Sequence, residues 1–218
     1  MKAMILFSGG KDSGLTTLLL EPFFDEIELV TFSFGHDDAW KAARAAAEEL
    51  GHPHRRIVFE EWVMDRALEI LSTTGYPNDA LNYVHSIAVE ILAEECEFVA
   101  DGTRRDDRAP KMNASAVRSL EDRTHVQYLR PLAGLGVKAI KAMASRYLDF
   151  VEERSEKYPA SDFEIGLRYA LAERCGQNEV DKIFPKNHTH TRVIRRKRFV
   201  QENERQEDQA CQGIQSES

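Results

Sequence analysis

The segment Ser8-Gly9-Gly10-Lys11-Asp12-Ser13 lies between the apolar run Met4-Ile5-Leu6-Phe7 and Gly14-Leu15-Thr16-Thr17-Leu18-Leu19-Leu20, which reads as helix. It therefore occupies a turn from a buried strand into a helix. A chain that opens in this way is directed toward right-handed βαβ units and a layered α/β fold. The same turn suits an anion. Two glycines let backbone approach a ligand without a Cβ in the way, Ser8 and Ser13 offer hydroxyls, and the N–H groups of the helix start converge on one point. Lys11 adds a cation and Asp12 a candidate magnesium ligand. An ordinary glycine-rich turn without a ligand is the alternative.

The rest of the chain keeps the alternating rhythm. Ile27 to Phe34, Arg55 to Phe59, Glu97 to Asp101 and Val126 to Leu129 read as further strands, rich in β-branched and aromatic residues. Helices are expected over Ala39 to Leu50, Glu60 to Leu71, Ala80 to Glu95, Ala114 to Arg123 and, in one long run, from Lys138 to about Lys157. The expected architecture is a three-layer α/β sandwich around a mostly parallel five-stranded sheet, with a small C-terminal helical and strand extension. The loops at residues 8 to 13, 35 to 38, 102 to 108 and 130 to 138 all leave carboxyl ends of these strands, where open parallel sheets bind ligands.

Three parts are expected: a nucleotide-binding domain over 1–157, an extension with a basic segment over 158–200, and a disordered polar tail over 201–218. The sequence has no apolar run of membrane-spanning length, and its first strand leaves no room for a signal peptide, so a cytoplasmic protein without membrane contact is expected. Cys96, Cys175 and Cys211 share no metal-binding spacing, which argues for reduced thiols. A formal net charge of -8 opposes polyanions at long range, so contact with RNA must be local. Arg192, Arg195, Arg196 and Arg198, with Lys197 among them, form a candidate RNA contact; a solvated strand balancing the acidic tail is the alternative. His188 and His190, with His85 and His125, are weak metal candidates.

Residues 8 to 13 fit neither common phosphate loop, since a Walker A loop needs glycine where Ile5 stands and a dinucleotide loop does not place its glycines side by side. They resemble the SGGxDS signature of the PP-loop ATP pyrophosphatase superfamily, whose members include GMP, asparagine and NAD synthetases, 7-cyano-7-deazaguanine synthase and tRNA thiolases. The resemblance covers about residues 1 to 150 and implies an adenine nucleotide α-hydrolase-like, Rossmann-like fold. It implies ATP with magnesium as the cofactors and an adenylated substrate plus pyrophosphate as the products.

It also implies roles. Ser8, Gly9, Gly10, Lys11, Asp12 and Ser13 would hold the phosphates, with Asp12 on magnesium. Gly102-Thr103, with Arg104 and the acidic pair Asp106 and Asp107, resembles the second element of the superfamily, and Lys138 resembles its late phosphate-contacting lysine. Phe32 and Ser33, at the end of the second strand, stand where relatives hold adenine. A solvated charged loop, a surface lysine and a core phenylalanine are the respective alternatives.

Pro77-Asn78-Asp79-Ala80-Leu81-Asn82-Tyr83-Val84-His85 resembles, in part, a cysteine-bearing segment of tRNA 2-thiouridylases, yet Ala80 and Leu81 offer no thiol. The expected acceptor is a tRNA uridine in a thiolation-type reaction, with sulfur supplied by a partner protein or as sulfide. Ammonia-dependent ligation, with ammonia free or from a partner, is the second expectation, and a non-catalytic nucleotide sensor the third. A homo-oligomer is expected.

Overall fold

The computed structural model describes residues 1–35, 38–154, 163–184 and 189–197. Alternation along the first strand, β1 (Lys2–Leu6), and the residue after it sends side chains to two separate core clusters: Met4 and Leu6 enter one, Ile5 and Phe7 another. The chain continues through α1 (Lys11–Leu20), β2 (Glu26–Ser33), α2 (Trp40–Leu50), β3 (His54–Val58), α3 (Glu61–Thr74), α4 (Pro77–Ala93) and β4 (Phe98–Ala100). It then forms α5 (Ala114–Thr124), β5 (Gln127–Leu129), α6 (Val137–Tyr147), β6 (Leu148–Arg154), α7 (Phe163–Cys175), α8 (Gln177–Ile183) and β7 (Thr189–Arg196). Strands β1 to β5 form one sheet in the order β3-β2-β1-β4-β5, and every pair in it is parallel. This is the expected α/β fold, with helices on both faces of the sheet.

Parity decides the layers, because successive side chains of a strand point to opposite faces. Val30 and Phe32 of β2 and Val99 of β4 join Met4 and Leu6 under α3, α4 and α7. Leu29 and Ala100 join Ile5 and Phe7 under α1 and α2. The order reverses between β1 and β4, so the turn after β1 and the loop after β4 flank the switch point of the sheet.

The structure corrects one helix. The expected run from Lys138 to about Lys157 ends at Tyr147, and Leu148–Arg154 is instead a strand paired antiparallel with β7. Alanine and lysine give residues 138 to 147 strong helix propensity, but propensity is a weak prior against tertiary pairing. Leu148 is buried with Val193 against the α1–α2 face, and Phe150 packs beside them. Lys197 donates its N–H to the Tyr147 carbonyl at 2.8 Å, closing the end of this hairpin on the helix terminus. The hairpin packs on α1 and α2. No helix among the described residues is long and apolar enough to cross a membrane. The tail over 201–218 lies outside the described residues.

Candidate functional site

A cleft of about 230 Å³ opens at the switch point. Ser8, Asp12 and Ser13 from the first turn line it, together with Gly102, Thr103 and Asp107 from the loop after β4. The two loops meet directly. A Cβ on Gly102 would lie 2.8 Å from the Ser13 nitrogen and 2.9 Å from the Asp12 carbonyl carbon, so only glycine permits this contact. Gly9 has φ +76°, a left-handed conformation that glycine adopts without cost, and its Cα faces the backbone of Ala43 on α2. Sequence alone assigned these glycines to phosphate approach; packing of backbone on backbone is a further reason for them.

The turn is organised by its own hydroxyls. Ser13 Oγ donates to the Gly10 carbonyl at 3.2 Å and accepts from the Ser8 N–H at 3.3 Å, while Ser8 Oγ accepts from the Gly10 N–H at 3.4 Å. Lys11 is buried, 6 % exposed, and its Nζ donates to both Asp12 oxygens at 2.8 and 3.1 Å. Arg104 approaches Asp12 at 3.7 Å and Asp106 at 3.9 Å, and it holds Asp107 through Nε at 2.8 Å and through Nη2. Burial lowers the Arg104 pKa, but the bond to Asp107 and the charges of Asp12, Asp107 and Asp106 outweigh it and hold the guanidinium firmly charged. Asp106 accepts from the Val137 N–H at 3.0 Å, which ties this loop to the start of α6 and, with the nearby arginines, lowers its carboxyl pKa despite slight desolvation.

Below the loops lies a buried polar network that sequence reading did not assemble. Asp101, 2 % exposed, directly follows β4 and accepts from the Thr103 N–H at 2.9 Å and the Thr103 hydroxyl at 2.7 Å. Its other oxygen accepts from the Tyr128 hydroxyl and stands 2.8 Å from His85 Nε2. Burial alone pushes the Asp101 carboxyl up; the His85 hydrogen bond and charge, with the bonds from Tyr128 and Thr103, outweigh it and hold the group below the ordinary carboxylate value. Burial, then the Asp101 charge, push the Tyr128 hydroxyl well above its usual range. His85, Asp101 and the buried Glu164 all line the cleft, Glu164 paired with Arg168. The available signal was Asp101 itself, a charge immediately after the apolar strand Phe98-Val99-Ala100.

The other candidates divide. Phe32 lines the cleft and stacks on Phe59 with ring centres 4.9 Å apart, whereas the Ser33 hydroxyl accepts from Arg56 Nε at 2.8 Å and lies outside the lining. Lys138 is exposed in the first turn of α6, also outside the lining. Arg195 is exposed on β7 and donates to Asp149 at 2.7 Å, and Arg196 donates to both oxygens of Glu21 at 2.7 Å. Arg192 lies on the same strand, and Arg198 is outside the described residues. The Pro77–His85 segment does border the cleft, through Leu81 and His85. Its helix starts at Pro77 rather than Ala80, because proline is well suited to the first helical position.

The histidines do not converge. His85 belongs to the Asp101 network, His125 caps α5 in a left-handed conformation, His190 lies on β7, and His188 is outside the described residues. No group of three or more His, Cys, Asp or Glu residues suited to a metal occurs among the described residues. Asp12 nevertheless fits magnesium bound chiefly through a triphosphate, since that ion takes one or two carboxylates and completes its shell with phosphate and water oxygens. Cys96 is partly buried at the opposite end of the sheet, where Sγ donates to the Lys2 carbonyl at 3.4 Å, and Cys175 is exposed at the end of α7. Neither described cysteine lines the cleft, and the lining among the described residues holds none of the thiolates that an iron–sulfur cluster takes.

Residues 1–195 match a family described as a family of unknown function (DUF7411). The uncharacterized protein MJ0690 of Methanocaldococcus jannaschii is 39 % identical over 200 residues, 92 % of this chain and 98 % of that one. A solved structure from the same organism, described as a predicted subunit of tRNA methyltransferase, is 38 % identical with TM-score 0.82, over 92 % of this chain and 100 % of that one. The U34-tRNA thiolase NcsA of Methanococcus maripaludis, solved with its 4Fe-4S cluster, shares the fold at 18 % identity and TM-score 0.53, over 84 % of this chain and 70 % of NcsA.

Proposed function

The chain belongs to the DUF7411 family, and from that premise and the SGGxDS resemblance we propose that it is a PP-loop ATP pyrophosphatase, an enzyme that adenylates an acceptor with ATP. The carrying observation is the meeting of the two loops: Ser8, Asp12 and Ser13 share one cleft with Gly102, Thr103 and Asp107 at the switch point of the sheet. On this reading the first turn grips the β- and γ-phosphates. An acceptor carbonyl or carboxyl oxygen attacks the α-phosphorus, the bond to the departing pyrophosphate breaks, and a nucleophile later displaces AMP. Ser8, Ser13 and the N–H groups of Asp12 and Ser13 in the first turn of α1 donate to phosphate oxygens, and Lys11 offsets the charge that gathers on pyrophosphate. Arg104 and Lys138 are further phosphate contacts on this reading, and Phe32 provides an apolar face for adenine. Asp12 would hold magnesium, which supplies charge neutralisation to the triphosphate when bound.

For the acceptor we favour a tRNA base. The description of the 38 % identical relative supports this, as do Arg192, Arg195, Arg196 and Arg198. The observed pairs of Arg195 and Arg196 with Asp149 and Glu21 are surface pairs worth at most ~1 kcal/mol, which RNA phosphates can replace. Among the described residues the cleft offers no thiol, so sulfur would arrive from a partner protein or as sulfide. The same observation favours ammonia-dependent ligation as a second reading.

The test is product analysis. With ATP, magnesium, a tRNA pool and either sulfide or ammonium, the protein is expected to form AMP and pyrophosphate rather than ADP. Asp12→Ala should lower that rate about a hundredfold or more. An equal rate in the variant, or ADP as product, would overturn the assignment. Replacing Cys96, Cys175 and Cys211 together by serine should leave AMP formation within about twofold, since the two described cysteines lie away from the cleft. Loss of turnover in that triple variant would place a thiol in the reaction.

A further inference from the structure

The C-terminal strand reaches the phosphate loop from behind. Thr191 Oγ1 accepts the Lys11 N–H at 3.1 Å, and the Val193 N–H donates to the Gly9 carbonyl at 2.9 Å. These two bonds join β7 to the loop across 180 residues of sequence in the case of Thr191. The fit is close as well as polar. A Cβ on Gly10 would lie 3.2 Å from the Thr191 carbonyl oxygen and 3.3 Å from its hydroxyl oxygen, and one on Gly14 would lie 3.1 Å from Val193 Cγ2. Strand β7 is itself held by its pairing with β6 and by the burial of Val193 and Leu148 against α1 and α2.

We propose that Thr191 is a positioning residue for the phosphate grip, its hydroxyl fixing the Lys11 peptide so that the loop keeps its binding shape before nucleotide arrives. A glycine pair is intrinsically free, and each peptide that must be ordered on binding costs affinity. Gly9 and Lys11 each commit one backbone group to β7. Between them the Gly10 N–H turns to Ser8 Oγ at 3.4 Å, and Asp12 and Ser13, next along the chain, line the cleft with Ser8. The inference rests on the phosphate-loop reading above. It adds that the C-terminal hairpin, which carries the basic residues, is part of the nucleotide site.

The experiment compares Thr191→Val, which keeps shape and removes the acceptor, with Thr191→Ser, which keeps the acceptor. Binding of ATP, inorganic pyrophosphate and adenosine to the full chain is measured by calorimetry with magnesium present. Thr191→Val is expected to weaken ATP and pyrophosphate about tenfold and to leave adenosine within about twofold, while Thr191→Ser stays near wild type for all three ligands. A merely structural loss would weaken adenosine equally. Wild-type affinity of Thr191→Val for ATP, or an equal loss in Thr191→Ser, would overturn the proposal. Amide exchange in the wild type gives a check that no variant can spoil: the Lys11 amide should be protected without ligand, and exchange at the rate of an open loop would overturn the proposal as well. Failure of the phosphate-loop reading itself looks different, because wild-type protein would then bind neither ATP nor pyrophosphate.

Discussion

Gly102→Ala is expected to reduce ATP affinity by at least about tenfold and to destabilise the fold by about 1–3 kcal/mol. The new methyl group would stand 2.8 Å from the Ser13 nitrogen, 2.9 Å from the Asp12 carbonyl carbon and 3.1 Å from the Ser13 Cα. All three are backbone atoms, so no side chain can swing aside, and relief requires the two loops to separate. Separation widens the cleft at the place where the triphosphate is expected. Gly102 does not have a positive φ, so the penalty is one of contact rather than conformation. For a chain of this size the loss corresponds to a drop of about 2–12 °C in melting temperature. Gly134→Ala is the control, since a Cβ there meets nothing within 4 Å. Calorimetric titration with ATP and a thermal melt of both variants decide the matter, and a Gly102→Ala protein with wild-type affinity would show that the loops need not touch.

Asp101→Ala should cost about 3–5 kcal/mol, or about 6–20 °C in melting temperature, the larger stability effect of the two. The substitution removes the acceptor for the Thr103 N–H, the Thr103 hydroxyl and the Tyr128 hydroxyl, and the charge beside His85, all in the interior. Asp101→Asn separates charge from shape. The carboxyl is held below its ordinary value in the fold, so its contribution is present above the unfolded-state value and is lost as pH falls through the depressed one. Wild-type stability should therefore fall more steeply than that of Asp101→Asn below about pH 4. Chemical denaturation at a series of pH values measures the difference, and parallel profiles would remove the charge from the account. The Thr103 contacts also connect this network to the cleft, so the alanine variant should lose nucleotide affinity along with stability.

The division between what could be read in the sequence and what could not follows particular residues. The strand before Ser8 and the helix after it were legible because both are local: a short apolar run, two glycines, and a helical stretch ending in Leu18-Leu19-Leu20. The Gly102-Thr103 loop was legible as a second turn at a strand end. That it packs on the first turn was not, since the contact depends on β4 lying beside β1, a choice of strand order. His85 shows the same limit, standing on α4 far in sequence from Asp101 and Tyr128 and acquiring its role only when those elements meet.

By itself the sequence determined the α/β rhythm, the placement of the candidate loops at carboxyl strand ends and the residues of the first turn, because these depend on residues within one or two turns of each other. Tertiary structure alone decided that Leu148–Arg154 leaves the helix, that β7 backs the turn at residues 8–13, and that Asp101 gathers His85, Tyr128 and Thr103. The physical reason is common to all three. Strand pairing and buried hydrogen bonds take their free energy from partners distant in the chain, and no local propensity specifies which partner that will be.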